Sequence, residues 1–276
     1  ATTLVEDLVA GPSPGLKPAV NTALPAGVNL IGNVPINANG VADVDFTSGA
    51  RQISSVELTR LAAQLVWTLR QLSSVTAVQL LVNGSPLSAP NVASLQSVRA
   101  WRQFDPDAPP SSSGVLLVQA GQPVGLGTAV PSALNVAPLA APAESADGSQ
   151  VAALRTVAGR TSLLAGPAHG VLTGRASALF VSAPTFDPQG DVYVARGIPG
   201  AEQIVEYPLH GPARPATTSG VPTGSIQSLA VSPDGSRIAA VVGLPGTGQL
   251  VVGSITSLGS HPAVQAASAR VRAAFL

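Results

Sequence analysis

The chain has 276 residues, a formal net charge of zero, 10% charged and 45% apolar residues, with 28 glycines, 25 prolines and neither cysteine nor methionine. That hydropathy excludes a disordered chain, and the balanced charge excludes a global field that would draw in nucleic acid or an anionic membrane face. The missing cysteine excludes disulfides and thiolate metal sites within these residues. The Gly and Pro content points to many turns and short strands. No apolar run approaches the roughly 18 residues of a spanning helix, no signal-peptide pattern is present, and Ala1 is expected not to be a translational start.

In chain order, Thr3–Ala10 reads as a short amphipathic helix capped by Thr2 or Thr3 and stopped by Gly11-Pro12. A Pro/Gly loop runs to Pro25. Val28–Ile31 opens a strand, and Val41–Phe46 alternates apolar and polar at the period of a half-buried strand. Asn39-Gly40 is a tight-turn signal, so the two are expected to form a hairpin. The best helix starts at Ser54, which forms a capping box with Glu57. Leu58, Leu61, Ala62, Leu65, Val66, Leu69 and Leu72 then recur on one face, and Trp67 reads as core or edge of core. Ala77–Val82 is a further strand ending at Asn83-Gly84. The order α-β-β-α-β predicts an α+β sandwich with helices on one face of a small sheet. Thr22–Val28, the hairpin ending in Val44-Asp45-Phe46, the helix segment Leu61–Leu69 and Val78–Gly84 together resemble a GerMN domain, a module of spore-germination and cell-envelope proteins. The resemblance assigns residues 1–88 to that module.

Residues 89–113 are rich in Pro, Ser and Asp and read as a linker. Within it, Trp101 between Arg99 and Arg102 is a candidate partner anchor, because Trp and Arg dominate binding hot spots; the other reading is a Trp packed at the interdomain junction. Val115–Val118 and Pro123-Val124 flank Gln119–Gln122 as a hairpin, either the first strands of a following domain or the strands that close its ring. A cassette then recurs: Ala146-Asp147-Gly148-Ser149 before an apolar run, Asp187-Pro188-Gln189-Gly190 before another, and Ser232-Pro233-Asp234-Gly235 before a third. The glycines stand 42 and 45 residues apart, and Leu163-Leu164, Ile204-Val205 and Leu250-Val251 follow them at near-constant distance. That period, with several short strands per unit, is the signature of β-propeller blades. Residues 114–276 are therefore expected to form an all-β, incomplete propeller of about three to four blades, since a closed ring needs about four to eight. The native protein is expected to be longer.

A GerMN domain followed by a propeller with Ser-Pro-Asp-Gly turns resembles the actinobacterial LpqB lipoprotein family. The resemblance implies a lipid-anchored protein on the outer face of the plasma membrane, and not an enzyme. It implies binding to the extracytoplasmic domain of an MtrB-type sensor histidine kinase, and modulation of two-component signalling in cell-envelope homeostasis and division. The family's anchoring cysteine has no matching position here. Two other readings stay open: an envelope enzyme or glycan-binding protein that uses the propeller rim, and an assembly module comparable to TolB-type propellers with a peptide-binding channel.

No catalytic, cofactor or metal residues are expected. His169, His210 and His261 echo the blade period but read as loop residues, since no Cys or His-x-x-x-His pattern accompanies them. Asp43 and Asp45 share one strand face without the other positions of a calcium loop. Gly125-Leu126-Gly127 and Gly246-Thr247-Gly248 lack the third glycine and the helix of a dinucleotide site. There is no Gly-x-Ser-x-Gly elbow and no phosphate loop. Scattered basic residues and 3% aromatics exclude a nucleic-acid stacking surface.

Overall fold

The computed structural model describes all residues except 15, 18, 106–114, 137, 245–246, 259–260, 267–270 and 273–276, with side chains described as far as residue 256. The chain divides into two compact units, Ala1–Asp107 and Ala108–Leu276.

The first unit is built from α1 (Thr2–Ala10), β1 (Val41–Phe46), α2 (Ser55–Leu69), β2 (Ala77–Val82), β3 (Ser85–Pro86) and β4 (Leu95–Ser97). β1 and β2 run parallel in register, Ala42 beside Val78, Val44 beside Leu80 and Phe46 beside Val82. Both strands alternate buried and half-buried residues. The buried set meets Leu58, Leu61, Leu65, Val66 and Leu69 of α2, and Val5 of α1, in one core. Ser54 Oγ accepts from Glu57 N while the Glu57 carboxylate accepts from Ser54 N, closing the capping box. α1 departs from expectation at its start: Ala1 is the N-cap, and Thr2 Oγ1 instead accepts from Val34 N at 3.0 Å. The expected hairpin is also reduced. Val28–Ile31 makes no continuous strand; the chain from Leu30 to Ile36 meets β1 through the isolated bridges Leu30–Phe46 and Ile36–Ala42. Pro35, between those bridges, has no N–H to give the ladder, and Gly32 turns the chain at φ +64°. β3 and β4 pair with β2 antiparallel, so Leu95–Ser97, inside the stretch read as a linker, belongs to this sheet.

The second unit opens with the hairpin β5 (Val115–Gln119) and β6 (Gln122–Leu126), then repeats one pattern three times. The first sheet is β7 (Ala140–Glu144), β8 (Gln150–Val157), β9 (Arg160–Pro167) and β10 (Thr173–Ala178), antiparallel in chain order. The second is β11 (Phe180–Val181), β12 (Thr185–Phe186), β13 (Val192–Ile198), β14 (Ala201–Tyr207) and β15 (Arg214–Pro215); β11 and β12 pair with opposite ends of β13 as two halves of one strand. The third is β16 (Thr217–Ser219), β17 (Ile226–Val231), β18 (Arg237–Val242), β19 (Gln249–Leu258), β20 (His261–Ala266) and β21 (Val271–Arg272). Here β16 pairs parallel with β20, on the outer edge. Among the described residues no sheet closes on itself; each is an open sheet, as propeller blades are.

The three cassettes form one kind of turn. Ser145 Oγ accepts from Gln150 N and Gly148 N donates to Ser145 O, both at 2.9 Å; Ser232 Oγ accepts from Arg237 N at 2.9 Å and Gly235 N donates to Ser232 O at 2.8 Å. In the second cassette Asp187 stands in the serine's place and accepts from both Gln189 N and Asp191 N at 2.9 Å. Gly148, Gly190 and Gly235 have φ of 73°, 84° and 70°, a region that favours glycine. Neighbouring sheets are stapled by side chains. Glu202 accepts from Ile226 N and Ser225 Oγ, and Thr185 Oγ1 accepts from Val231 N.

Candidate functional site

The candidate surface lies on the first unit. Trp101 has φ +63°, ψ +34° and leads into a 3₁₀ turn over Arg102–Phe104. Two hydrogen bonds fix it: Trp67 Nε1, on α2, donates to Trp101 O at 2.9 Å, and Trp101 Nε1 donates to Gln96 Oε1, on β4, at 3.0 Å. The indole of Trp101 is half-buried against the first unit's own core. The Arg70 guanidinium lies 4.1 Å over the Trp67 ring, and the Phe104 ring is 6.4 Å from that of Trp101. Phe104 is 47% exposed, and Arg99 and Arg102 are exposed. The backbone thus presents Arg70, Trp67, Trp101 and Phe104 together, with Arg99 and Arg102 beside Trp101 in the chain. Rings already held by hydrogen bonds lose little freedom on binding a partner.

The motif Trp101, Arg99 and Arg102 is legible in the sequence; its meeting with Trp67 across 34 residues is not. Gln96, which holds the Trp101 indole, carries no sign in the sequence, since a three-residue strand has no periodic signal. His169 and His210 occupy equivalent loops, after β9 and β14, and both are exposed, while His261 begins β20 with its side chain outside the described residues. Among the described residues no three His, Cys, Asp or Glu side chains group as a metal site. Asp45 Oδ2 accepts from Gly84 N at 2.9 Å, which ties β1 to the Asn83-Gly84 turn. Gly127 is a turn residue at φ +75°, and Gly246 lies outside the described residues.

Among the described residues, a cluster of charges gathers around a buried carboxylate in the second sheet. Glu206, 6% exposed, sits opposite Tyr193 on the paired strands and accepts from Arg214 Nη1 at 3.1 Å. Burial, a hydrogen bond with Asp191 and the charges of Asp191 and Asp187 push Glu206 up to about 7, against the pull of Arg214. Burial, and then the charges of Glu206, Asp187 and Asp191, raise Tyr193. Glu206 is thus held between the Arg214 guanidinium and the Asp191 carboxyl.

Residues 1–88 match the family described as "Sporulation and spore germination" (Germane), and residues 117–273 match "Lipoprotein LpqB beta-propeller domain". The chain belongs to the LpqB lipoprotein family. LpqB proteins of Mycobacterium tuberculosis (28% identical, 92% of this chain and 47% of the relative) and Mycolicibacterium smegmatis (27%, 92% and 46%) run along nearly all of it. LpqB of Cutibacterium acnes is 34% identical over 42% of this chain and 20% of its own length. The chain therefore spans at most about half the length of these LpqB relatives. Among solved structures, the tandem GerMN domains of GerM from Bacillus subtilis overlap with 55% of the chain and 43% of their own length (22% identity, TM-score 0.25). A TolB from Agrobacterium tumefaciens overlaps with 55% and 57% (19%, TM-score 0.39). Overlaps this loose carry no functional argument. Among the described residues no helix is long and apolar enough to cross a membrane.

Proposed function

We propose that the chain is part of a lipid-anchored accessory protein on the outer face of the plasma membrane, without catalytic activity of its own. It binds the extracytoplasmic domain of an MtrB-type sensor histidine kinase and modulates two-component signalling in envelope homeostasis and division. Membership of the LpqB family supports this reading, and the aromatic–arginine surface around Trp101 is the contact we propose for it. An accessory shifts a kinase only through unequal affinity for its two states. Cationic Arg99 and Arg102 beside Trp101 and Phe104 suit an acidic partner surface with an apolar pocket at its centre.

The test is a pull-down and titration of this chain against the kinase ectodomain. Saturable binding is expected, weakened about tenfold by Phe104→Ala and by the Arg99→Ala, Arg102→Ala pair. Those side chains are exposed, so melting temperatures should stay near that of the unaltered chain. No binding above background would remove the kinase reading. Binding that ignores all three substitutions would remove the surface while leaving the partner.

A further inference from the structure

Between the first and second sheets of the second unit lies a cavity of about 370 Å³. It opens on the edge that carries the cassette turns, with Gln150 and Gly190 in its wall. Phe186, Val171 and Leu209 make its accessible apolar wall, over the buried Val151 and Val192, and Arg175, Tyr207 and His210 bring polar groups. No Asp or Glu lines it, so Arg175 is the wall's fixed charge. Arg175 Nη2 donates to Pro208 O at 2.6 Å, which anchors the guanidinium while its other N–H groups remain donors. Tyr207 is 3% exposed, and its hydroxyl is closed off from the cavity with no hydrogen-bond partner, so that it meets a ligand only by turning outward. An unpaired buried hydroxyl carries a desolvation cost that a ligand acceptor would remove. The Arg196 guanidinium stands 5.9 Å over the Tyr207 ring, and Arg196 and Arg175 both counter the effect of burial on that phenol. A mostly apolar chamber holding a tethered guanidinium, a spare hydroxyl and no opposing carboxylate has the make-up of a site for an apolar anion.

We propose that this cavity binds a carboxylate carried on a short apolar body, with the carboxylate on the Arg175 guanidinium, the buried Tyr207 hydroxyl turning to meet it, and the apolar part against Phe186, Val171 and Leu209. A single guanidinium with one hydroxyl matches a monoanion better than a phosphate dianion, which collects more donors. A peptide C-terminus with an apolar last residue and a free short-chain acid share this chemistry. The site is independent of the kinase-binding surface.

The experiment titrates the full chain with N-acetyl-Ala-Ala-Phe and with hexanoate, each beside its neutral amide, following binding by calorimetry. Both acids, or at least one, are expected to bind at least about tenfold more tightly than the amide. Arg175→Gln is expected to lose about that factor, and Tyr207→Phe a smaller one of about threefold to tenfold. Stronger binding of the peptide identifies a chain terminus as the ligand class; stronger binding of hexanoate identifies free acids. Equal affinity for acid and amide overturns the proposal, as does failure of both acids to bind at about 10 mM, well past the weak end of the affinity scale. Should Arg175→Gln fail to fold, the acid–amide comparison on the unaltered chain and Tyr207→Phe still decide.

Discussion

At residue scale, Glu206 couples stability to pH. Its carboxyl titrates near 7 in the fold, against an ordinary value of 4.5. A raised acid pKa means that the folded state holds the proton more tightly than the unfolded state. The contribution is fully present below 4.5 and is lost as pH rises through about 7. Melting temperature is therefore expected to fall across that window, and Glu206→Gln to flatten the profile; an unchanged slope in the variant would assign it elsewhere. Asp147 and Asp234 act in the opposite sense. Hydrogen bonds from Ser145 and Ser149 hold Asp147 below 3.8; Asp234 is raised by burial, but bonds from Ser232 and Ser236 outweigh that. Their stabilisation is present above 3.8 and lost as pH falls through their lowered values. Ala158 gives a second residue-scale test. It occupies the first central position of the β8–β9 turn at φ +49°, followed by Gly159 at +75°, which is the pattern of Asn-Gly turns. An alanine held left-handed costs about 1–2 kcal/mol. Ala158→Asn, at an exposed site, is expected to raise stability by about 0.5–1 kcal/mol, read by chemical denaturation.

At element scale, legibility followed how local the signal was. α2 announces itself because its cap and its apolar stripe lie in one continuous stretch, and both are present. Ser54→Ala is expected to cost about 1 kcal/mol, and Leu65→Ala, fully buried, about 2–5 kcal/mol; equal losses would mean that the helix is held by its cap and not by its core. The alternation of β1 and β2 is just as readable. Their parallel pairing is not, since alternation fixes which face is buried and leaves the neighbour open. Val28–Ile31 reads as a strand by composition, yet Pro35 and Gly32 limit it to bridges. β4 escapes notice because three residues cannot display a period. Trp101 is visible as a candidate anchor through its residue type, while its bonds to Trp67 and Gln96 depend on the return of the chain across α2.

At the scale of the whole molecule, repetition carried the reading of the second unit. The doublets Leu163-Leu164, Ile204-Val205 and Leu250-Val251 take matching positions on β9, β14 and β19, opposite Leu154 and Ala153, Ala195 and Val194, and Val241 and Ala240. The inter-sheet cavity stayed hidden because its walls come from residues about 60 positions apart, joined only when sheets stack. The stacking also touches the turns. A methyl group on Gly235 would meet Pro188 Cδ of the preceding cassette at 2.9 Å, whereas one on Gly190 would meet nothing nearer than Gln150 Cγ at 3.7 Å. Both glycines have positive φ, so both substitutions by alanine carry about 1–2 kcal/mol of backbone cost. Gly235→Ala adds a clash and is expected to be the more harmful of the two in thermal denaturation.

The segment Arg214–Ser219 lends two residues to β14 and the next three to β20, with Ala216 as the crossover between them. A single ribbon thus hems two fabrics at once. Fraying cannot begin on one border without unpicking its neighbour, so the second and third repeats should exchange their amide protons as one cooperative block.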